Sequence, residues 1–268
     1  MRERPIGVFD SGIGGLTILK ALRRLLPRED IIYFGDTARV PYGSKSRRTI
    51  IRFSSESADF LLRLGVKMIV AACNTSSGFS LPAIRRRADV PVIGVIRPGA
   101  REAAALTKNM RVGIIGTRAT ISSGAYEREI KKANPKIKVI SKDCPLFVPL
   151  VEEGWLSGEV AKLAAERYLT PLKKKGVDTL VLGCTHYPLL RPVLRGVLGK
   201  NTALVDSAGA AARAVKKALR DKDIRSRGLR KGRCVFYVSD EPTLFARIGA
   251  GFLGGEMRNV KKVNIEAR

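Results

Sequence analysis

Two stretches of this sequence share one design. "VAACNTSS" at 70–77 and "VLGCTHYP" at 181–188 are each an apolar run of strand length that ends in a cysteine followed by small polar residues. Building the same strand-end twice, more than a hundred residues apart, points to two related folding units within one chain. The surrounding pattern says what kind of unit. Short apolar, β-rich runs at 6–9, 31–34, 68–72, 92–96, 112–115, 137–140, 179–182 and 203–205 alternate with amphipathic stretches of helical length such as 54–64 and 159–173. Continuous apolar strands separated by helices predict parallel sheet covered on both faces.

A longer repeat frames the two cysteines. "IGVFDSG" at 6–12 opens the first set of strands and "VGIIGTRAT" at 112–120 opens the second; Cys73 lies 66 residues after Gly7, and Cys184 lies 71 after Gly113. The expected fold class is α/β, with two similar parallel-sheet domains related by pseudo-twofold symmetry. Each half carries a cysteine at the end of its third strand. Ligands of such sheets bind beyond the carboxyl ends of the strands, so the active site is expected in the cleft between the halves, with one thiol on each side.

Facing thiols suit proton transfer or nucleophilic chemistry. A free cysteine with a pKa of about 8.5 is mostly protonated at neutral pH, and a nearby cation or helix N-terminus lowers that value. Asn74, Thr75 and Thr185 can hydrogen-bond the carboxylate and amine of an amino acid. His186, the single histidine, stands two residues after Cys184, and Asp10 comes from a neighbouring strand-end. Each can assist one thiol as a proton relay. The glycines of "DSGIGG" at 10–15 suit either an anion site or a tight strand-to-helix turn, and Pro41-Tyr42-Gly43 reads as a turn. No cysteine begins a C-x5-R phosphatase loop, and the G-x-S-x-G and P-loop patterns are absent. A Cys-His protease would leave the second strand-end unexplained.

Charge and composition bound the rest. The four cysteines include no C-x-x-C pair, which argues against a structural zinc site. Disulfides are not expected in a cytosolic chain, and Cys144 and Cys234 read as buried, inert residues. No apolar run approaches the roughly 18 residues of a membrane span, and the first 15 residues hold no apolar core of signal-peptide length. The expectation is a soluble cytoplasmic protein. The net charge of +26 suggests attraction to polyanions or anionic small molecules. The stretch from Lys216 to Arg233 holds nine basic and two acidic residues. It contains no aromatic residue for base stacking, so a solvated surface is favoured over its rival, a contact with DNA or another polyanion.

"GVFDSGIGGLT", "YFGDTARVPYGSKS", "AACNTSS", "GVIRPGA", "LGCTHYPLL" and "VDSA", in this order between about Ile6 and Leu253, resemble the glutamate racemases of the aspartate/glutamate racemase family. The resemblance implies a cofactor-independent enzyme with no metal, interconverting L- and D-glutamate by a two-base mechanism and supplying D-glutamate for peptidoglycan. It implies Cys73 as the base for the D-enantiomer and Cys184 for the L-enantiomer. Asp10, His186 and Glu152 become further catalytic residues, Glu153 being the rival of Glu152. Substrate contacts carry over to Asp10, Ser11, Tyr42, Gly43, Asn74, Thr75, Thr185 and His186. The resemblance also implies a homodimer and a discontinuous layout, with 1–97 plus 208–268 as the first domain and 98–207 as the second.

Overall fold

A computed structural model describes residues 1–265. Its ten strands are β1 (Ile6–Asp10), β2 (Ile31–Gly35), β3 (Met68–Ala71), β4 (Val92–Gly94), β5 (Arg111–Gly116), β6 (Lys138–Asp143), β7 (Thr179–Gly183), β8 (Ala203–Asp206), β9 (Cys234–Val238) and β10 (Val260–Lys262). They form a six-stranded sheet of order β10-β9-β2-β1-β3-β4 and a four-stranded sheet of order β6-β5-β7-β8. Every pairing is parallel. The first four strands of one sheet and the four of the other therefore share the order second, first, third, fourth. β1, β3 and β7 are buried almost throughout, as strands covered on both faces must be.

The register turns the sequence repeat into geometry. Gly7 pairs with Ile69 and Gly113 with Leu180. Four residues beyond each pair the chain reaches Ser11 beside Cys73 in one sheet and Thr117 beside Cys184 in the other. The unequal separations of 66 and 71 residues are absorbed by the connections before the third strands.

Two expectations need correction. The run at 92–96 is a strand only to Gly94, because Val95 caps and Ile96 begins the helix Ile96–Leu106. The helix expected at 54–64 begins earlier, as Arg47–Arg63, since the Ser46 side chain accepts a hydrogen bond from Thr49 N and caps it. Two strands went unread. β9 pairs with β2 and β10 with β9, so the end of the chain returns to the first sheet.

The basic stretch sits at the amino ends of the first sheet's strands. Buried Lys67, just before β3, pairs with Glu29 at 2.6 Å. Glu29 Oε1 accepts from Ser226 N at 2.8 Å. Arg230 reaches Asp30 with two bonds of 2.8 and 2.5 Å. The segment is thus tied down at the end of the sheet opposite to Cys73.

Candidate active site

Cys73 leaves β3 and caps the six-residue helix Asn74–Phe79. Cys184 follows β7 directly and precedes the short helix Tyr187–Leu190. Both thiols line one narrow cavity of about 30 Å³, together with Ser11, Tyr42, Gly43, Asn74, Thr75, Glu152, Thr185 and His186. The volume is that of a water or two, so the two walls stand close together. Of the residues expected from the sequence, Asp10 alone does not line this space. It lies buried behind the wall, where its Oδ2 accepts from Gly12 N at 3.0 Å.

Two glycines let the walls stand this close. A methyl group on Gly14 would come within 2.2 Å of Thr185 Oγ1 and 2.5 Å of His186 Nδ1, and one on Gly43 within 2.6 Å of Thr117 Cβ. In both cases a loop of the first sheet meets a side chain of the second. The loop carrying Tyr42 and Gly43 is held from behind. Buried Asp36 accepts from the Tyr42 hydroxyl, from Arg39 Nε at 2.7 Å and from Ser239 Oγ at 2.9 Å.

The two thiols have different proton partners. Cys73 Sγ donates to Ser11 Oγ at 3.5 Å. Burial, with the Asp10 carboxylate nearby, pushes its pKa up to about 11. Burial likewise raises the pKa of Asp10, against the pull of His186. On the other side Cys184 Sγ lies 3.7 Å from His186 Nδ1, and His186 Nε2 lies 3.0 Å from Glu152 Oε1. Burial is the largest single influence and opposes charge on the imidazole, but the hydrogen bonds and charge interactions with Cys184 and Glu152 together outweigh it and raise its pKa. The contact with histidine is made by Glu152; Glu153, its rival, faces solvent.

Sequence reasoning missed Thr117, which lines the cavity as the counterpart of Ser11. Its hydroxyl forms a triangle with those of Thr75 and Thr120, each separation 3.0 Å. The signal was present, because aligning Gly7 with Gly113 places Thr117 where Ser11 stands. Two buried polar atoms here have no protein partner, Asp10 Oδ1 and Asn74 Nδ2. Cys144 is buried as expected, its sulfur facing the Lys142 carbonyl at 3.7 Å.

Two parallel α/β sheets with polar cavity walls at their carboxyl ends, and a thiol at the same place in each, are the architecture of an α/β enzyme with its site between two like halves. The chain belongs to the Asp/Glu/Hydantoin racemase family, whose profile matches residues 6–215, and is an isomerase. It is 52% identical to a glutamate racemase of Geobacter metallireducens over 267 residues, covering 100% of this chain and 99% of that one. Among solved structures, glutamate racemase of Francisella tularensis in complex with D-glutamate is 42% identical with a TM-score of 0.94, covering 99% of both chains. Glutamate racemase isoform RacE1 of Bacillus anthracis is 36% identical with a TM-score of 0.95, covering 98% of both. Among the described residues no helix is long and apolar enough to cross a membrane.

Proposed function

We propose that this enzyme interconverts L- and D-glutamate without a cofactor, using Cys73 and Cys184 as two opposed bases. The observation that carries this reading is the pair of thiols, at equivalent positions beyond the third strands of two sheets and lining one cavity. Racemisation removes the Cα proton from one face and returns a proton to the other. A single base would have to cross the carbon; two opposed thiols avoid that motion. The likeness to racemases named for glutamate, one of them solved with D-glutamate, supports the choice of substrate.

In this reading Cys184, as thiolate, takes the Cα proton of L-glutamate, and Cys73, as thiol, delivers its own proton to the opposite face. The product is D-glutamate, and the two sulfurs have exchanged protonation states. His186, backed by Glu152, serves as proton relay for Cys184; Asp10 and Ser11 flank Cys73. The carbanion is stabilised by donors already in place, the Asn74 amide, the Thr75 and Thr185 hydroxyls and the backbone of Tyr42 and Gly43. The cellular role that follows is D-glutamate supply for peptidoglycan, in the cytoplasm. We read the enzyme as a homodimer whose protomer divides into 1–97 plus 208–268 and 98–207.

Heavy water tests the reading. Initial turnover of unlabelled L-glutamate is expected to give D-glutamate carrying deuterium at Cα, while residual L-glutamate stays largely unlabelled. D-glutamate as substrate gives the mirror pattern, and aspartate serves as the control for specificity. Substantial carry-over of the original hydrogen into product would mean one base, and the two-thiol mechanism would fall even with racemisation established.

A further inference from the structure

Asn74 presents an amide with one half engaged and the other free. Its Oδ1 accepts a hydrogen bond of 2.7 Å from the Tyr126 hydroxyl, while its Nδ2 is buried without a partner, in a residue that lines the cavity. An amide has two faces of similar shape, one donating and one accepting, and only its partners decide which faces a ligand. Tyr126 lies on the helix Ala125–Ala133, which packs with the second sheet, whereas Asn74 follows β3 of the first. The bond therefore crosses from one half to the other.

Burial raises the Tyr126 pKa, so the phenol keeps its proton. That proton is the one donated to Asn74 Oδ1. The amide is then fixed with its oxygen on the phenol and its N–H groups unpaired, in a residue that lines the cavity. Unpaired buried donors of this kind are costly unless a ligand takes them up.

We propose that Tyr126 is a positioning residue for the reaction, holding the Asn74 amide so that Nδ2 donates to an oxygen of the substrate carboxylate as negative charge builds on it during deprotonation. This rests on the racemase reading above. Without the phenol, the amide can turn its oxygen toward the carboxylate, replacing attraction by repulsion.

The test is a double-mutant cycle on the full-length enzyme, with racemisation of L- and D-glutamate followed by circular dichroism. Tyr126→Phe is expected to lower kcat/KM about tenfold or more, with most of the loss in kcat, since the donor matters most where charge develops. Asn74→Ala is expected to lose at least as much. The combination Asn74→Ala with Tyr126→Phe should be no slower than Asn74→Ala alone, because the phenol then has nothing to orient. Additive losses in the double variant, or a loss in Tyr126→Phe that tracks a fall in Tm without the kcat bias, would overturn the proposal while leaving the racemase reading intact. A wild-type enzyme that racemises neither enantiomer would overturn both.

Discussion

The strand-end after β3 and the strand-end after β7 occupy equivalent places in two sheets of like order, yet they are chemically unlike. Cys73 stands beside a hydroxyl, Ser11, with a buried carboxyl, Asp10, close by. Cys184 stands beside an imidazole that is itself bonded to a carboxylate. The difference continues one strand over. The residue following β2 is Asp36, whose buried carboxylate holds Tyr42 and Arg39; the residue following β6 is Cys144, which offers only its backbone carbonyl, to the hydroxyl of Tyr187 beyond His186. Repetition of the fold set the positions of the two thiols, and the surroundings of each were then set separately. That is what a reaction with two mirror-related substrates demands. Under the proposed mechanism the reacting carbon meets a proton carrier on each side, while its carboxylate, amine and side chain are contacted once, by walls that need not match.

The largest effect should come from the thiols themselves. Cys73→Ser and Cys184→Ser are each expected to cut racemisation by about 100- to 10,000-fold, the range attributed to a positioned acid or base. A serine hydroxyl is far too weak an acid to take the thiol's place, and the side chain is nearly the same size, so thermal unfolding should change little. Polarimetry measures the first effect and calorimetry the second. If either variant keeps most of its turnover, the equivalence of the two strand-ends is geometric only.

Much of this was legible before the fold was known, for a physical reason. Buried parallel strands must be continuously apolar, so β1, β3, β5 and β7 stand out, and the residues just past them mark the site. β10 was invisible because "VKK" is an exposed, charged edge strand with no apolar signal. β9 is different, since "CVFYV" is apolar enough to have been read; its place beside β2 depends on a return of the chain that no local pattern encodes. In the site, Cys73, Cys184 and their flanking polar residues came from the repeat. Tyr126 did not, because its role lies in a single contact between helices 52 residues apart in sequence. The position of Asp10 behind the wall was equally unreadable, since sequence places it at the strand-end but does not say which way the carboxyl turns.

A second prediction sharpens the contrast between the two sides. His186→Asn removes the relay at Cys184, and Asp10→Asn removes the carboxyl near Cys73, each at a cost of about 10- to 100-fold in rate. The two enantiomers have equal free energy, so kcat/KM must fall equally in both directions and rates alone cannot locate the damage. The isotope effect at Cα can. In His186→Asn, proton transfer at Cys184 becomes more rate-limiting. The effect with L-glutamate deuterated at Cα should therefore grow, while that with deuterated D-glutamate shrinks. Asp10→Asn should do the reverse. The same response from both variants would mean that the relays are shared and that the sides are not separately tuned.

The smallest effect is a shift in titration, and it isolates the Cys73 side. Burial raises the Cys73 pKa to about 11, and the Asp10 carboxylate adds to the rise. Only the thiolate is alkylated, so the rate of carbamidomethylation at Cys73 should climb about tenfold per pH unit from neutrality and level off only near pH 11, as read by mass spectrometry of the peptide. Asp10→Asn removes a negative charge that disfavours the thiolate, so its profile should move to lower pH. The move must be partial, because burial, the larger cause, remains. Cys184 in the same molecules controls for access, since both thiols line one narrow cavity and share its opening. A Cys73 profile that levels off near the ordinary cysteine value of about 8.5 would show that burial in the cavity does not govern this thiol. A profile unmoved by Asp10→Asn would leave burial as the sole cause and remove Asp10 from the electrostatics of the Cys73 side.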